Sequence, residues 1–542
     1  MAFDLVIRGG SVIDGTGSAA RRGDVAVSDG RIVRVGHVPE HHGPQLDAQG
    51  CVVAPGFVNV LSHAYETLQR DPRGLSDLYQ GVTTEVFGEG YSLGPVTGRC
   101  GEIVDDTSSA DGVRLAWPRL GEFLDHLENS GVGPNVASFI GAHNLRATFA
   151  GADARALTPG ELQDACELLA EELRAGALGV GSSLLYMPGA YASTDELTAY
   201  ARVIAEYDAL YISHIRNEAS RLLESVGEVL AIARASGARA EIYHLKASGR
   251  DNWPLMATAL SMINDARSTG ARVTADIYPY EAGGTSLAAC IPSRFHDGGE
   301  KQLLRRLIDP DIRAAIKAEI LDPADGDWEN IYLDAGGAEG VLLLDSADHG
   351  GADHTATLDV AGKTLAEVCS LRADHDPIET LFGVVLARPR QEAAYFCMSV
   401  DDVHLALRQP WVSVCSDSEA PAAEPPFVEQ PTHPRAYGSF ARVLGPFVRD
   451  GVLSLEEAVR RMTSLPARNL RLADRGRLQP GAWADITVFD PAAVQDHATY
   501  EQPHQYATGM RHVIVNGCLA LRDGQATGAL AGKALRRATI QQ

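Results

Sequence analysis

ALYISHIRNEASRLLESVGEVLAIARASGARAEIYHLK, residues 209–246, carries the pattern that decides the fold. A short apolar run, 209–213, closes on His214; residues with helical apolar spacing follow, and a second apolar run, 240–243, closes on His244. Strand, amphipathic helix and strand in that order make one unit of a parallel α/β domain. Working outward, the same alternation gives eight candidate strands, near residues 57–62, 82–88, 136–141, 178–184, 209–213, 240–243, 272–276 and 411–416. Eight strand-then-helix units predict an α/β fold closed into a TIM (β/α)8 barrel. Helix starts are written at Thr158-Pro159-Gly160-Glu161, Ser193-Thr194-Asp195-Glu196 and Ser454-Leu455-Glu456-Glu457, where a hydroxyl three residues before a glutamate predicts a capping box.

The flanks follow a different pattern. Residues 1–55 hold short strands with tight turns, DLVIRGGSVID and DVAVSDGRIVRVG, the latter folding back at Asp29-Gly30. Residues 475–542 repeat this in ADITVFD and HVIVNGCLALRDG, with turn signals at Asn516-Gly517 and Asp523-Gly524. The two ends are expected to meet as one small β-sandwich, 1–55 plus 475–542, beside a catalytic barrel over 56–474. The interval 290–400 is too long for a barrel connection and includes the helical stretches KQLLRRLIDPDIRAAIKAEI and GKTLAEVC. It is expected to be a subdomain inserted between strands 7 and 8 over the active-site mouth.

Composition bounds the partners. With 45% hydrophobic and 22% charged residues the 542-residue chain can build a large core, and a net charge of −24 argues against nucleic acid or an anionic membrane surface. The eight cysteines lack paired spacing, so neither a disulfide framework nor a cysteine zinc knuckle is expected. That usage suits a cytoplasmic protein. The opening MAFDLVIRGG lacks a leader's basic and apolar regions, and no apolar run reaches membrane-spanning length. A small-molecule partner is expected; the oligomeric state, homo-oligomer included, stays open.

Metal-competent side chains fall where the strands end: His63 after the first, Glu89 after the second, His214 after the fifth, His244 after the sixth and Asp417 after the eighth. In a barrel the strand C-termini share one face, so residues far apart in sequence converge there. A histidine closing a buried strand is often only a hydrogen-bonded core residue. Five such residues at five strand ends favour a divalent-metal site instead, since imidazole and carboxylate both suit zinc.

The segments APGFVNVLSH (54–63), QGVTTEVFGEGYSLGP (80–95), LGVGSSLLYMPGAYAS (178–193), YISHIRNE (211–218), EIYHLKASG (241–249), ADIYPYEAGGTSL (275–287), CSDSEAP (415–421), HPRAYGSFARVLG (433–445) and GRLQPGAWADITVFD (476–490) together resemble the N-acyl-D-amino-acid deacylases of the amidohydrolase superfamily. The resemblance implies that His214 and His244 bind a zinc ion, with Glu89 where many relatives place a cysteine, and that Asp417 is the catalytic acid/base. It also implies that Arg435 pairs with the substrate carboxylate, as a guanidinium fork can, and that Tyr186 is an active-site tyrosine. Tyr278 and Ser286 are looser candidates for substrate contacts. Two departures stand out. The family motif Asp-x-His-x-His reads Asn59-Val60-Leu61-Ser62-His63, and Leu61 cannot bind a metal, so one tightly bound ion is expected rather than two. His63 is then free to orient Asp417, touch substrate or hold a second, weaker ion with Asp417. The carboxylate of Glu89 in place of a thiolate admits Mn2+ or Fe2+ beside Zn2+.

Lys246, two residues past His244, is read as supporting the site rather than bridging two metals. The segment DSADHGGADH (345–354) is read as a solvated loop. Amide hydrolysis by metal-activated water follows, with Asp417 moving the proton and Arg435 selecting an amide beside a carboxylate. Two rivals are a hydrolase of a cyclic amide or imide, a carbamate or another non-peptide amide, and a catalytically inactive barrel serving as an interaction protein.

Overall fold

The computed structural model describes residues 3–40, 42–101, 116–322, 328–344, 360–372, 375–429 and 432–537. The segment 345–354 lies outside them. Eight parallel strands close a barrel: Phe57–Asn59, Val82–Phe87, a third split into Asn135–Ser138 and Ile140–Gly141, then Gly179–Ser183, Leu210–His214, Arg239–Ile242, Val273–Ile277 and Val412–Val414. The split third strand joins two ladders, pairing with the second through its first part and with the fourth through its second part. A parallel bridge between Ser62 and Ser418 brings the first and eighth strands together. Their side chains are buried almost throughout, as strands covered on both faces require.

Helix termini follow the capping signals with one difference. Thr158 forms the full box with Glu161. Ser193 and Ser454 accept the amides of Glu196 and Glu457, but those carboxylates turn instead to Arg146 and Arg460.

The chain ends form one nine-stranded sheet around its own core of Ile7, Val25, Val27, Val53, Ile486 and Ile514. Its seam is the antiparallel pairing of Val52–Pro55 with Ile486–Phe489. Asp29-Gly30, Asn516-Gly517 and Asp523-Gly524 all have both residues at positive φ, the conformation that two-residue hairpins of this sequence select.

Between barrel strands seven and eight the chain builds helices Glu300–Ile308, Pro310–Leu321, Ile331–Asp334, Leu365–Ser370 and Pro377–Ala387. The run 301–320 is not one helix, because Pro310 cannot continue it; Asp309 caps the second helix by accepting from Asp311 and Ile312. A small antiparallel sheet, Gly283–Ser286, Glu392–Tyr395 and Val341–Leu343, ties this insertion to the barrel mouth. Among the described residues no helix is long and apolar enough to cross a membrane.

Candidate metal centre

A cavity of about 1010 Å³ opens at the strand C-termini, and His63, Glu89, Tyr186, His214, His244, Tyr278, Asp417 and Arg435 all line it. Local backbone aims them. Glu89 sits between Gly88 and Gly90, at φ 106° and 65°. A Cβ on Gly88 would stand 2.4 Å from the Phe139 carbonyl oxygen, so only glycine lets the second strand turn its last carboxylate inward here. His244 and Asp417 both hold positive φ, at 33° and 50°, which costs conformational energy that the surroundings must offset. His244 is pinned by its own N–H donating to Asp276 Oδ1 at 2.8 Å. Asp417 donates its amide to Leu61 O at 3.0 Å, while the His63 amide donates to Ser418 O at 2.9 Å, setting those two side chains next to each other.

One oxygen of Glu89, Oε1, stands 2.9 Å from His214 Nδ1 and 3.2 Å from His244 Nε2. The other, Oε2, stands 3.3 Å from His63 Nε2, which in turn is 3.1 Å from Asp417 Oδ1. The donors fall into two trios that share Glu89: Glu89, His214 and His244, and His63, Glu89 and Asp417. Two imidazole nitrogens and a carboxylate oxygen within 4.8 Å of one another are the donor set of a catalytic zinc site that leaves a position open. The residues therefore fit a divalent ion at the first trio.

Electrostatics supports this. Burial works against a charge on Glu89, but hydrogen bonds from His214, His244 and His63 outweigh it and hold the carboxyl well below its ordinary value. Asp417 is likewise lowered: burial opposes the charge, and the Arg435 guanidinium with His244 and His63 overcomes it. Burial pushes the Tyr186 phenol well above its usual value, leaving it a neutral donor.

Arg435 spends one arm on Asp417 Oδ2, at 2.5 Å, and another on Gly284 O, at 3.2 Å, with its carbon 4.8 Å above the Tyr278 ring. Its Nε is buried without a hydrogen-bond partner. Tyr186 meets the His214 ring edge-on at 5.3 Å. Ser286 is not brought to the site: its Oγ accepts from the Ala288 amide, and its neighbour Thr285 lines the cavity instead. Lys246 lies beside the first trio and not between the two, its ammonium donating to both oxygens of Glu218. Sequence reading passed over Glu218 and Glu329, which line the same cavity; Glu218 is four residues past His214, a spacing it could have used.

Residues 399–519 match the amidohydrolase family model. The chain is 34% identical over 523 residues to an N-acyl-D-glutamate deacylase from Alcaligenes xylosoxydans xylosoxydans, covering 95% of this chain and 93% of that one. It superposes with a TM-score of 0.78 and 33% identity on the N-acyl-D-glutamate deacylase of Bordetella bronchiseptica, solved with zinc and a phosphonate that mimics the tetrahedral intermediate, over 99% of this chain and all of that one. A D-aminoacylase with a binuclear metal centre, in which one metal activates and the second attenuates, superposes at 0.79 with 29% identity over 99% of this chain and all of that one. Similarity of that extent over nearly the whole length makes the chain a member of the N-acyl-D-amino-acid deacylase family of the amidohydrolase superfamily.

Proposed function

We propose that this metal-dependent amidohydrolase cleaves the amide bond of N-acyl-D-amino acids, with Glu89, His214 and His244 holding its divalent ion. The observation that carries this is the convergence of His214 Nδ1 and His244 Nε2 on one Glu89 oxygen, beside an ionised Asp417. Held by Glu89, His214 and His244, a zinc ion would lower the pKa of water toward ~7 and so supply a nucleophile at neutral pH. Asp417 accepts the proton of the attacking water and returns it to the amide nitrogen as the C–N bond breaks, giving a free acid and a free amino acid. Tyr186, kept neutral, donates to the oxygen that gains charge. Arg435 faces the substrate carboxylate while it steadies Asp417, and stacking on Tyr278 fixes the guanidinium plane.

The test is release of free amino acid from N-acetyl-D- and N-acetyl-L-amino acids by zinc-loaded and chelator-treated protein. Hydrolysis of the D series alone, lost with chelator and restored by zinc, is expected. Hydrolysis of cyclic imides with no action on the D series would overturn the substrate assignment.

A further inference from the structure

The two histidines of the first trio present one ring nitrogen each to Glu89, and their opposite nitrogens face the same buried carboxylate. Glu218 Oε1 is 3.1 Å from His244 Nδ1, and its Oε2 is 3.6 Å from His214 Nε2, a buried nitrogen with no hydrogen-bond partner. Glu218 is 4% exposed and built in from several sides. Its amide donates to Glu329 Oε2 from the inserted segment, and its carbonyl accepts from the Ser248 amide at 2.7 Å. Asn217 Oδ1 beside it accepts the amides of Ala219 and Arg221, fixing the turn that carries it.

We propose that Glu218 is a positioning residue for both histidine ligands, one carboxylate standing behind two rings. The proposal rests on the reading that Glu89, His214 and His244 hold the ion. An imidazole binds a metal through one nitrogen only when the other carries the proton, and a carboxylate behind the ring fixes that tautomer and the ring's orientation. Here a single glutamate stands behind two rings 83° apart with centroids 4.5 Å from each other, at hydrogen-bond distance from His244 and at ion-pair distance from His214. Lys246 Nζ, 2.8 and 2.7 Å from the two oxygens, also stands 2.7 Å from His244 Nδ1, so the ammonium shares that side of the ring with the carboxylate.

A rival account is that Glu218 only neutralises the buried Lys246. The two accounts predict opposite behaviour when each partner is changed. Zinc affinity is measured by competition with a chromogenic chelator for the wild type, Glu218→Gln, Glu218→Asp, Lys246→Met and His214→Ala, together with the visible spectrum of the cobalt(II) forms and the melting of the metal-free proteins. Glu218→Gln is expected to weaken zinc about 10–100-fold and to change the cobalt spectrum. Lys246→Met removes a cation near the ion and keeps the carboxylate, so its zinc affinity holds or tightens. Equal loss in Glu218→Gln and Lys246→Met, or wild-type affinity in Glu218→Gln, overturns the proposal. If Glu218→Gln does not fold, Glu218→Asp decides: it keeps the charge for Lys246 but withdraws the oxygens by one methylene, so weakened zinc supports the role and unchanged zinc overturns it. His214→Ala separates the two levels. Retention of tight zinc there sinks the metal site itself, whereas its loss there beside wild-type affinity in Glu218→Gln sinks only the positioning role.

Discussion

At the scale of single residues, Asp417 is the side chain on which most converges: His63 on one oxygen, Arg435 on the other, and a left-handed backbone beneath. Asp417→Asn keeps the shape but cannot take a proton, so turnover should fall by about 10²–10⁴-fold with zinc content unchanged; near-normal turnover with metal bound would remove it from the mechanism. Leu61, 1% exposed, stands in the motif where the family pattern has its first metal-binding histidine. The second trio keeps His63 and Asp417, but Asp417 is already paired with Arg435, a cation from outside the trio. Exhaustive dialysis should therefore leave about one zinc per chain, the number a single set of three protein ligands holds; two retained ions, counted by elemental analysis, would show that the second trio binds tightly. The cluster of Glu89, His214 and His244 was legible in sequence because each member closes a strand. Glu218 was not, because its place behind both rings depends on which nitrogen of each ring faces inward, a fact of rotamers rather than of spacing. Ser286 was one residue off, since neighbours in a strand point to opposite faces and Thr285 takes the inner one.

At the scale of elements, the eight strands read from alternation correspond to the barrel, while the short strands 283–286, 341–343 and 392–395 escaped notice because three or four residues hold too little periodicity to separate from loop. The barrel strands also carry polar layers that sequence reading treats as anomalies. Asn59, where the family motif has an aspartate, places Nδ2 within reach of Asp77, Glu85 and Ser416, and its Oδ1 accepts the Ser416 amide that leads into Asp417. Burial raises both Asp77 and Glu85, so an amide that donates suits that pocket better than a third carboxylate. Glu241 on the sixth strand accepts from Thr274 and Asn469, and burial pushes its carboxyl upward. The folded chain thus holds a proton there that the unfolded chain releases above about 4.3, so stability contributed by this group declines as pH rises from that value to the raised folded one. Glu241→Gln should flatten urea midpoints across that window, by at most about 1.4 kcal/mol per pH unit for one proton. An unchanged pH slope in the variant would mean that Glu241 is ionised in the folded state.

At the scale of the whole molecule, the site is assembled by strand ends but stabilised from its surroundings: the insertion reaches it through Glu329, and the sheet made from both chain ends holds the barrel's first strand through Val52–Pro55. The stretch after that sheet does something else. Residues 532–537 run back along the barrel, where Leu535 donates its amide to Val136 O, Val136 donates to Lys533 O, and Arg537 donates to Gly176 O. The Arg537 side chain, 4% exposed, reaches the carbonyls of Tyr207 and Leu173, joining the ends of two barrel helices. None of these contacts approaches the cavity lining, so this strap should support stability and leave metal binding alone. Ending the chain after Thr527 removes the strap while keeping the last sheet strand, Gln525–Ala526. At about 1 kcal/mol for each net hydrogen bond lost, the truncated protein should unfold several kcal/mol more easily in urea. Its zinc affinity at temperatures where it remains folded should match the full chain. Loss of zinc binding in a truncated protein that still melts cooperatively would show that the strap acts on the strand ends through the barrel, and that support and site are not separable in this fold.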